Sequence, residues 1–183
     1  MECKEFFENN RDNREKCKLL QSMPEVALAW EAFCSASDLS SGRVGDNEML
    51  YRQIYQPIHF DTETRKLKPT AFDDVANKGL SVNRALLESR QAVEKKARAK
   101  AERDRLRRPD RFFYGLASIV CKDMRCILSS TTQKQAFCIF DTALQDDLSH
   151  ADVCQIISGK QEARSVRSKL YEAFNKADLK SCT

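Results

Sequence analysis

The sequence predicts an α+β fold: a mostly antiparallel sheet with N-terminal helices, one long basic connecting helix and a C-terminal helix. Three observations carry this. Residues 50–157 hold several short apolar runs of strand length, separated by turn formers. Residues 1–40 and the last quarter of the chain instead space their apolar residues at helical intervals. Between the strand-like runs lies one uninterrupted charged stretch, Asn83 to Arg108, with only a thin apolar stripe. The expected organisation is an N-terminal helical segment (1–40) followed by an α+β domain (50–183) that carries the charged helix at 83–108.

The elements follow in order. Residues 1–21 read as one weak helix anchored by Phe6, Phe7, Cys17 and Leu20. A second helix starts at Ser22, which has capping-box spacing to Glu25, with Pro24 tolerated in its first turn. Its apolar face is Val26, Ala27, Trp30, Phe33 and Cys34, and it should stop near Asp38, where turn formers begin. Leu50–Tyr55 reads as a strand ended by Pro57. Residues 61–69 read as loop, Asn77-Lys78-Gly79 as a turn, and Leu80-Ser81-Val82 as a short strand. The long helix carries the stripe Leu86, Val93, Ala97, Ala101 until Pro109 stops it, and reads as an insertion between two strands of one sheet. Phe112–Cys121 is apolar on both faces and so reads as a central strand. Lys122-Asp123 should turn a hairpin into the next run, and Gln135–Asp141 gives a further strand. Residues 142–150 read as loop, and His150–Ile157 as a strand or short helical turn. Ser158 and Gln161 have capping-box spacing before a final helix that buries Ala163, Val166, Leu170, Phe174 and Ala177.

Composition narrows the class. The chain is 42% hydrophobic and 32% charged, values of a folded domain rather than a disordered chain. Its first residues are charged and lack the apolar core of a secretory signal, and no apolar run approaches a membrane span. A cytoplasmic protein is expected. Eight Cys are present without a CxxC pair, and most lie in apolar patterns, as Cys34, Cys121 and Cys138 do. They read as buried thiols acting as small hydrophobes. A zinc site from Cys121, Cys126, Cys138, Cys154 and His150 is the competing reading, against which the loose C-x4-C spacing argues. No metal and no cofactor are expected, and neither GxxxxGK[ST] nor GxGxxG occurs.

Two groups of residues invite a functional reading. Arg52, Arg84 and His150 each stand at a strand end or turn, and Ser81 lies between the two arginines in sequence. Arg presents a planar fork to phosphate or carboxylate, and His moves a proton near neutral pH. If their strands share a sheet, Arg52, Ser81, Arg84 and His150 should line one cleft for a phosphate-bearing ligand or a partner protein. The second group is the basic helix. Residues 84–111 hold eleven Lys/Arg against five Asp/Glu, in a chain whose net charge is +4. Lys95, Lys96, Arg98 and Lys100 avoid the apolar stripe and are the candidates for contact with nucleic acid or an acidic partner. A solvated charged helix is the plainer alternative. A Cys154–His150 dyad is disfavoured, because on a strand the two share a face but stand too far apart for a direct hydrogen bond.

Tyr-Arg-Gln-Ile at 51–54, Ala71-Phe72, Gly79 to Arg84, Gly115 to Ser118 and Asp141 to Val153 also carry a resemblance. In that order they resemble the landmarks of a group of small bacterial proteins: an R-x-I strand, a Leu-Ser-Val segment and a late Asp…His-Ala element. The similarity covers roughly residues 50–156 and implies that Arg52, Ser81, Arg84 and His150 belong to one region. The basic helix departs from it as a lengthened connection. Leu50-Tyr51-Arg52 and Leu80-Ser81-Val82 also resemble two of the three parts of an ADP-ribosyltransferase site. The third part, a later acid, is missing from view: Glu88 comes too soon, and Asp141 or Asp152 would be an unusual substitute. The expected function is a small intracellular bacterial accessory protein with a polar Arg/His pocket. The alternatives are an ADP-ribosyltransferase-like or NAD-glycohydrolase enzyme and a nucleic-acid binder. An acid beside Arg52 and Ser81 would favour the enzyme.

Overall fold

A computed structural model describes residues 2–61, 63–176 and 179. The N-terminal segment forms α1 (Cys3–Asn9), α2 (Lys16–Gln21) and α3 (Pro24–Phe33). Then follow β1 (Met49–Gln56), a small hairpin of β2 (Phe60–Asp61) and β3 (Lys66–Leu67), a 3-10 helix (Pro69–Ala76) and β4 (Leu80–Arg84). The chain continues through α4 (Arg90–Asp104), β5 (Phe112–Val120), α5 (Cys121–Arg125), β6 (Phe137–Phe140), β7 (His150–Gln155) and α6 (Lys160–Ala173). The five longer strands form one sheet in the order β5-β1-β4-β7-β6, with every neighbouring pair antiparallel. The α+β architecture expected from the sequence is therefore the one observed.

Side chains alternate across a strand, so each face of this sheet has its own partners. One face presents Leu50, Ile54, Leu80, Val82, Ile119, Ile139 and Val153. It packs on Phe72 and Val75 of the 3-10 helix, Met124 of α5, Val166 and Leu170 of α6, and Phe174. The opposite face presents Cys138, Phe140 and Cys154 to Phe6, Phe7, Cys17, Leu20, Ala27 and Trp30 of α1–α3. Further along that same face, Tyr55 packs on Ala97 and Ala101 of α4. The N-terminal helices are thus a structural layer of the domain. Glu31 ties them down: its buried carboxylate accepts from the Ile139 amide of edge strand β6 at 3.1 Å and from Arg125 Nε at 2.9 Å.

Several boundaries differ from the sequence expectation. The first helix is two, divided by the turn at residues 10–15. Ser22 does not cap α3; its hydroxyl donates back to Leu19 O at 2.6 Å, and Met23 holds the cap position. Val26, Phe33 and Cys34 are exposed, because Ala27, Trp30 and Glu31 form the buried face. The expected helix at 83–108 begins only at Arg90. Asn83 and Arg84 still belong to β4, and the Ser89 hydroxyl accepts from Ala92 N to open α4. Leu86 consequently lies outside the helix and is exposed, while Val93, Ala97 and Ala101 are buried as read. β5 ends the strand order rather than lying at its centre. Helix α5 replaces the expected hairpin at Lys122-Asp123, and the expected loop at 61–69 takes in the end of β2 and all of β3. Gly159, with φ 95°, precedes α6 without a side-chain cap, and Ala177 lies outside the described residues.

Candidate functional site

The register of β4 against β7 builds the site. Ser81 pairs with Asp152 and Asn83 with His150, so Ser81, His150 and Asp152 leave the sheet on the face covered by α1–α3. Gly79 lets the chain enter β4 this close to β7. Its φ is 92°, and a Cβ there would lie 3.1 Å from the Asp152 carboxylate. Helix α2 closes the space from above. The Cys17 amide donates to Asn77 O at 2.7 Å, and Lys16 Nζ meets Asp152 Oδ2 at 2.6 Å, both side chains being buried. What remains between helices and sheet is a cleft of about 560 Å³, with Lys16, Ser81, Thr142, His150 and Asp152 in its walls. That size matches small-molecule sites.

Charge is arranged in two tiers. Inside, burial works against the Lys16 ammonium, but Asp152 outweighs it and holds the lysine above its ordinary pKa. Neighbouring Cys154 has its thiol pushed well up by a hydrogen bond with Cys17 and by burial. His150 is half-buried, with Nδ1 2.9 Å from Thr142 Oγ1 and 3.3 Å from Thr142 O, and Nε2 4.0 Å from Asp152 Oδ1. When Nδ1 donates to the carbonyl, Nε2 carries the lone pair; when the hydroxyl donates to Nδ1, Nε2 carries the proton. At the mouth, Arg11 and Arg14 are exposed and have no ion-pair partner among the described residues, while Lys78 reaches Asp74 at 3.3 Å. Glu8 and Asp12 lie on the same rim.

The four residues expected to converge do so only in part. Ser81 and His150 share the cleft. Arg52 pairs with Ala117, in step with Leu50 and Ile54, and therefore points to the opposite face from His150. There its Nη1 donates to Ser81 O at 3.0 Å and its Nη2 to Ala71 O at 3.1 Å, with Asp74 at 3.8 Å. It bonds across strands β1 and β4 beyond their last paired residues, and burial lowers its pKa to about 10. Arg84 is also on that face and is saturated. Nε and Nη2 grip Glu48 at 2.8 and 2.9 Å, and Nη1 reaches Asp141 at 2.6 Å, Ser41 Oγ at 2.9 Å and Gly42 O at 3.1 Å. Neither arginine has a fork to offer a ligand.

Sequence reasoning missed Lys16, Arg11, Arg14 and Thr142. Asp152 was weighed only as an unusual substitute for a catalytic acid, although it stands two residues after His150, the spacing that puts both on one face of a strand. Nothing local marks Lys16, whose partner is 136 residues away. The four helix cations lie apart from the cleft, on α4. Lys95 and Lys100 are exposed, Lys96 bridges Glu88 at 2.8 Å and Asp147 at 3.2 Å, and Arg98 lies 5.2 Å from the Phe113 ring centre. Among the described residues no group of three or more His, Cys, Asp or Glu is placed to hold a metal, and the seven described Cys are free. No helix among them is long and apolar enough to cross a membrane. Comparisons with protein families, curated proteins and solved structures gave no match.

Proposed function

We propose that the protein is a binding protein whose cleft takes a phosphate-bearing ligand. The observation that carries this is the pair of exposed guanidinium groups, Arg11 and Arg14, which have no ion pair among the described residues and stand at the mouth of a cleft that holds Lys16, Ser81 and His150 within. Phosphate has several strong acceptors, and Arg forks, hydroxyls and imidazole N–H groups all donate to it. The one acid in the depths, Asp152, is neutralised by Lys16 at 2.6 Å, so the interior does not repel an anion.

An acid does stand beside Ser81, the feature that would favour an NAD-using enzyme. Two facts weigh against that reading: Asp152 is committed to Lys16, and Arg52 lies across the sheet from the cleft. Thermal-shift titration tests the binding proposal, using inorganic phosphate, ribose 5-phosphate and a nucleoside diphosphate against sodium chloride of equal ionic strength. A ligand of the native state raises stability by RT ln(1 + [L]/Kd). Saturable stabilisation by at least one probe, lost in Arg11→Ala/Arg14→Ala, is expected. Stabilisation no greater than that of salt, or full retention in the variant, contradicts the proposal.

A further inference from the structure

Three polar atoms in the walls of the cleft make no hydrogen bond among the described residues: Asp152 Oδ1, His150 Nε2 and Ser81 Oγ. Asp152 is buried, and its other oxygen is the one that Lys16 holds at 2.6 Å. An acceptor on so buried a side chain is costly to leave unpaired, so Oδ1 takes its donor from the cleft. Gly79 keeps it within reach, because a Cβ at that position would stand 3.1 Å from Oδ1. Ser81 is exposed to the same space.

His150 decides what kind of donor fits. Thr142 Oγ1, at 2.9 Å, is nearer to Nδ1 than Thr142 O at 3.3 Å, so the hydroxyl donates to Nδ1 and Nε2 carries the proton. The opposite tautomer would turn a lone pair toward the Asp152 carboxylate. Nε2 and Oδ1 are 4.0 Å apart, too far to bond each other. A group between them has to accept from Nε2 and donate to Oδ1. A hydroxyl does both, whereas a carbonyl only accepts and an ammonium or amide N–H only donates. A hydroxyl oxygen about 2.8 Å from each atom spans the gap.

We propose that the ligand of the cleft is a sugar phosphate, with one sugar hydroxyl held between His150 Nε2 and Asp152 Oδ1 and a second bonded to Ser81 Oγ. This rests on the phosphate reading above: Arg11 and Arg14 take the phosphate at the mouth, and the atoms within see the sugar. A polyol meets all three atoms at once, and about 560 Å³ has room for a pentose or hexose phosphate. A nucleobase finds no such fit. Phe7 stands in the wall, but it is buried, with the Phe6 and Phe140 ring centres 5.3 and 4.7 Å away and Lys16 Nζ 5.2 Å from its own. It offers no open face for a base to stack on.

Isothermal titration calorimetry on the full chain tests it with ribose 5-phosphate and ethyl phosphate, a monoester of the same charge without a hydroxyl. Ribose 5-phosphate should bind at least about tenfold more tightly. Arg11→Ala/Arg14→Ala should weaken both and keep their ratio. Ser81→Ala and His150→Ala should each cut the ratio by at least about threefold. His150→Gln, whose amide N–H stands in for Nε2–H, should restore part of it, and Ser81→Ala decides if His150→Ala does not fold. Adenosine 5'-monophosphate should bind no more tightly than ribose 5-phosphate. Equal affinities for ribose 5-phosphate and ethyl phosphate, or a ratio unchanged in Ser81→Ala and His150→Ala, overturns the sugar assignment and leaves the phosphate reading standing. Adenosine 5'-monophosphate binding at least about tenfold more tightly than ribose 5-phosphate overturns it in favour of a nucleotide. Binding of none of the three overturns both.

Discussion

Replacing Lys16 with Met probes the joint between the N-terminal helices and the sheet. Lys16 and Asp152 are 3% and 6% exposed and meet at 2.6 Å, so loss of the ammonium strands a buried carboxylate. Breaking such a pair from one side costs about 3–5 kcal/mol. In a domain of this size 1 kcal/mol moves Tm by roughly 2–4 °C, which predicts a fall of roughly 6–20 °C. Removing both charges leaves nothing stranded, so Lys16→Met/Asp152→Asn should recover at least half of the loss. The pair also carries a pH signature. The folded-state pKa of Lys16 is raised, so its contribution is complete below the unfolded lysine value near 10.4 and disappears as pH rises through the folded value. Calorimetry of the four proteins of the cycle at neutral pH measures this. A shift below about 2 °C for Lys16→Met, or a double variant as unstable as the single, would refute the reasoning.

Arg84→Lys keeps a charge but loses the fork that holds Glu48 and the reach to Asp141; urea unfolding should show a loss of about 2–4 kcal/mol. Peptide mapping after brief alkylation should find Cys34 and Cys126 modified and Cys3, Cys17, Cys121, Cys138 and Cys154 protected until denaturation. The first two are exposed and the others buried, with burial pushing the thiols of Cys3 and Cys121 up to about 12. His59 gives the acid-side dependence: burial, then Arg52 and Arg111, lower its pKa to about 3. The unfolded chain therefore binds the extra proton below about pH 6.5, and stability falls as pH drops from there toward 3, by at most about 1.4 kcal/mol per unit. His59→Phe should flatten that slope in pH-dependent urea melts.

How far the sequence was legible follows from the range of the interactions involved. Strands β1, β4, β5 and β7 announce themselves because apolar residues within a few positions decide which face is buried. The start of α4 did not, because Leu86 falls at helical spacing with Val93, and only the Ser89 cap marks the true boundary. Arg84 looked like a ligand-binding fork since its partners, Glu48 and Asp141, lie 36 and 57 residues away. Arg52 and His150 were expected together, yet the parity of their strands separates them. That parity depends on the β1–β4–β7 register, which no single strand encodes. Ser81 and His150 do lie along one cleft, but its roof comes from α1 and α2, whose docking is wholly long-range.

The chain has only two histidines, and they are physically distinct: His59, half-buried outside the cleft with its pKa lowered to about 3, and His150 in the cleft. Two imidazole signals in a carbon–proton correlation spectrum therefore report on the cleft without any label. Titration with inorganic phosphate at constant ionic strength should move the His150 signal saturably and leave the His59 signal in place, and the movement should vanish in Arg11→Ala/Arg14→Ala. A His150 signal that stays fixed up to the highest phosphate concentration, or one that moves equally in the variant, would contradict a phosphate-binding cleft.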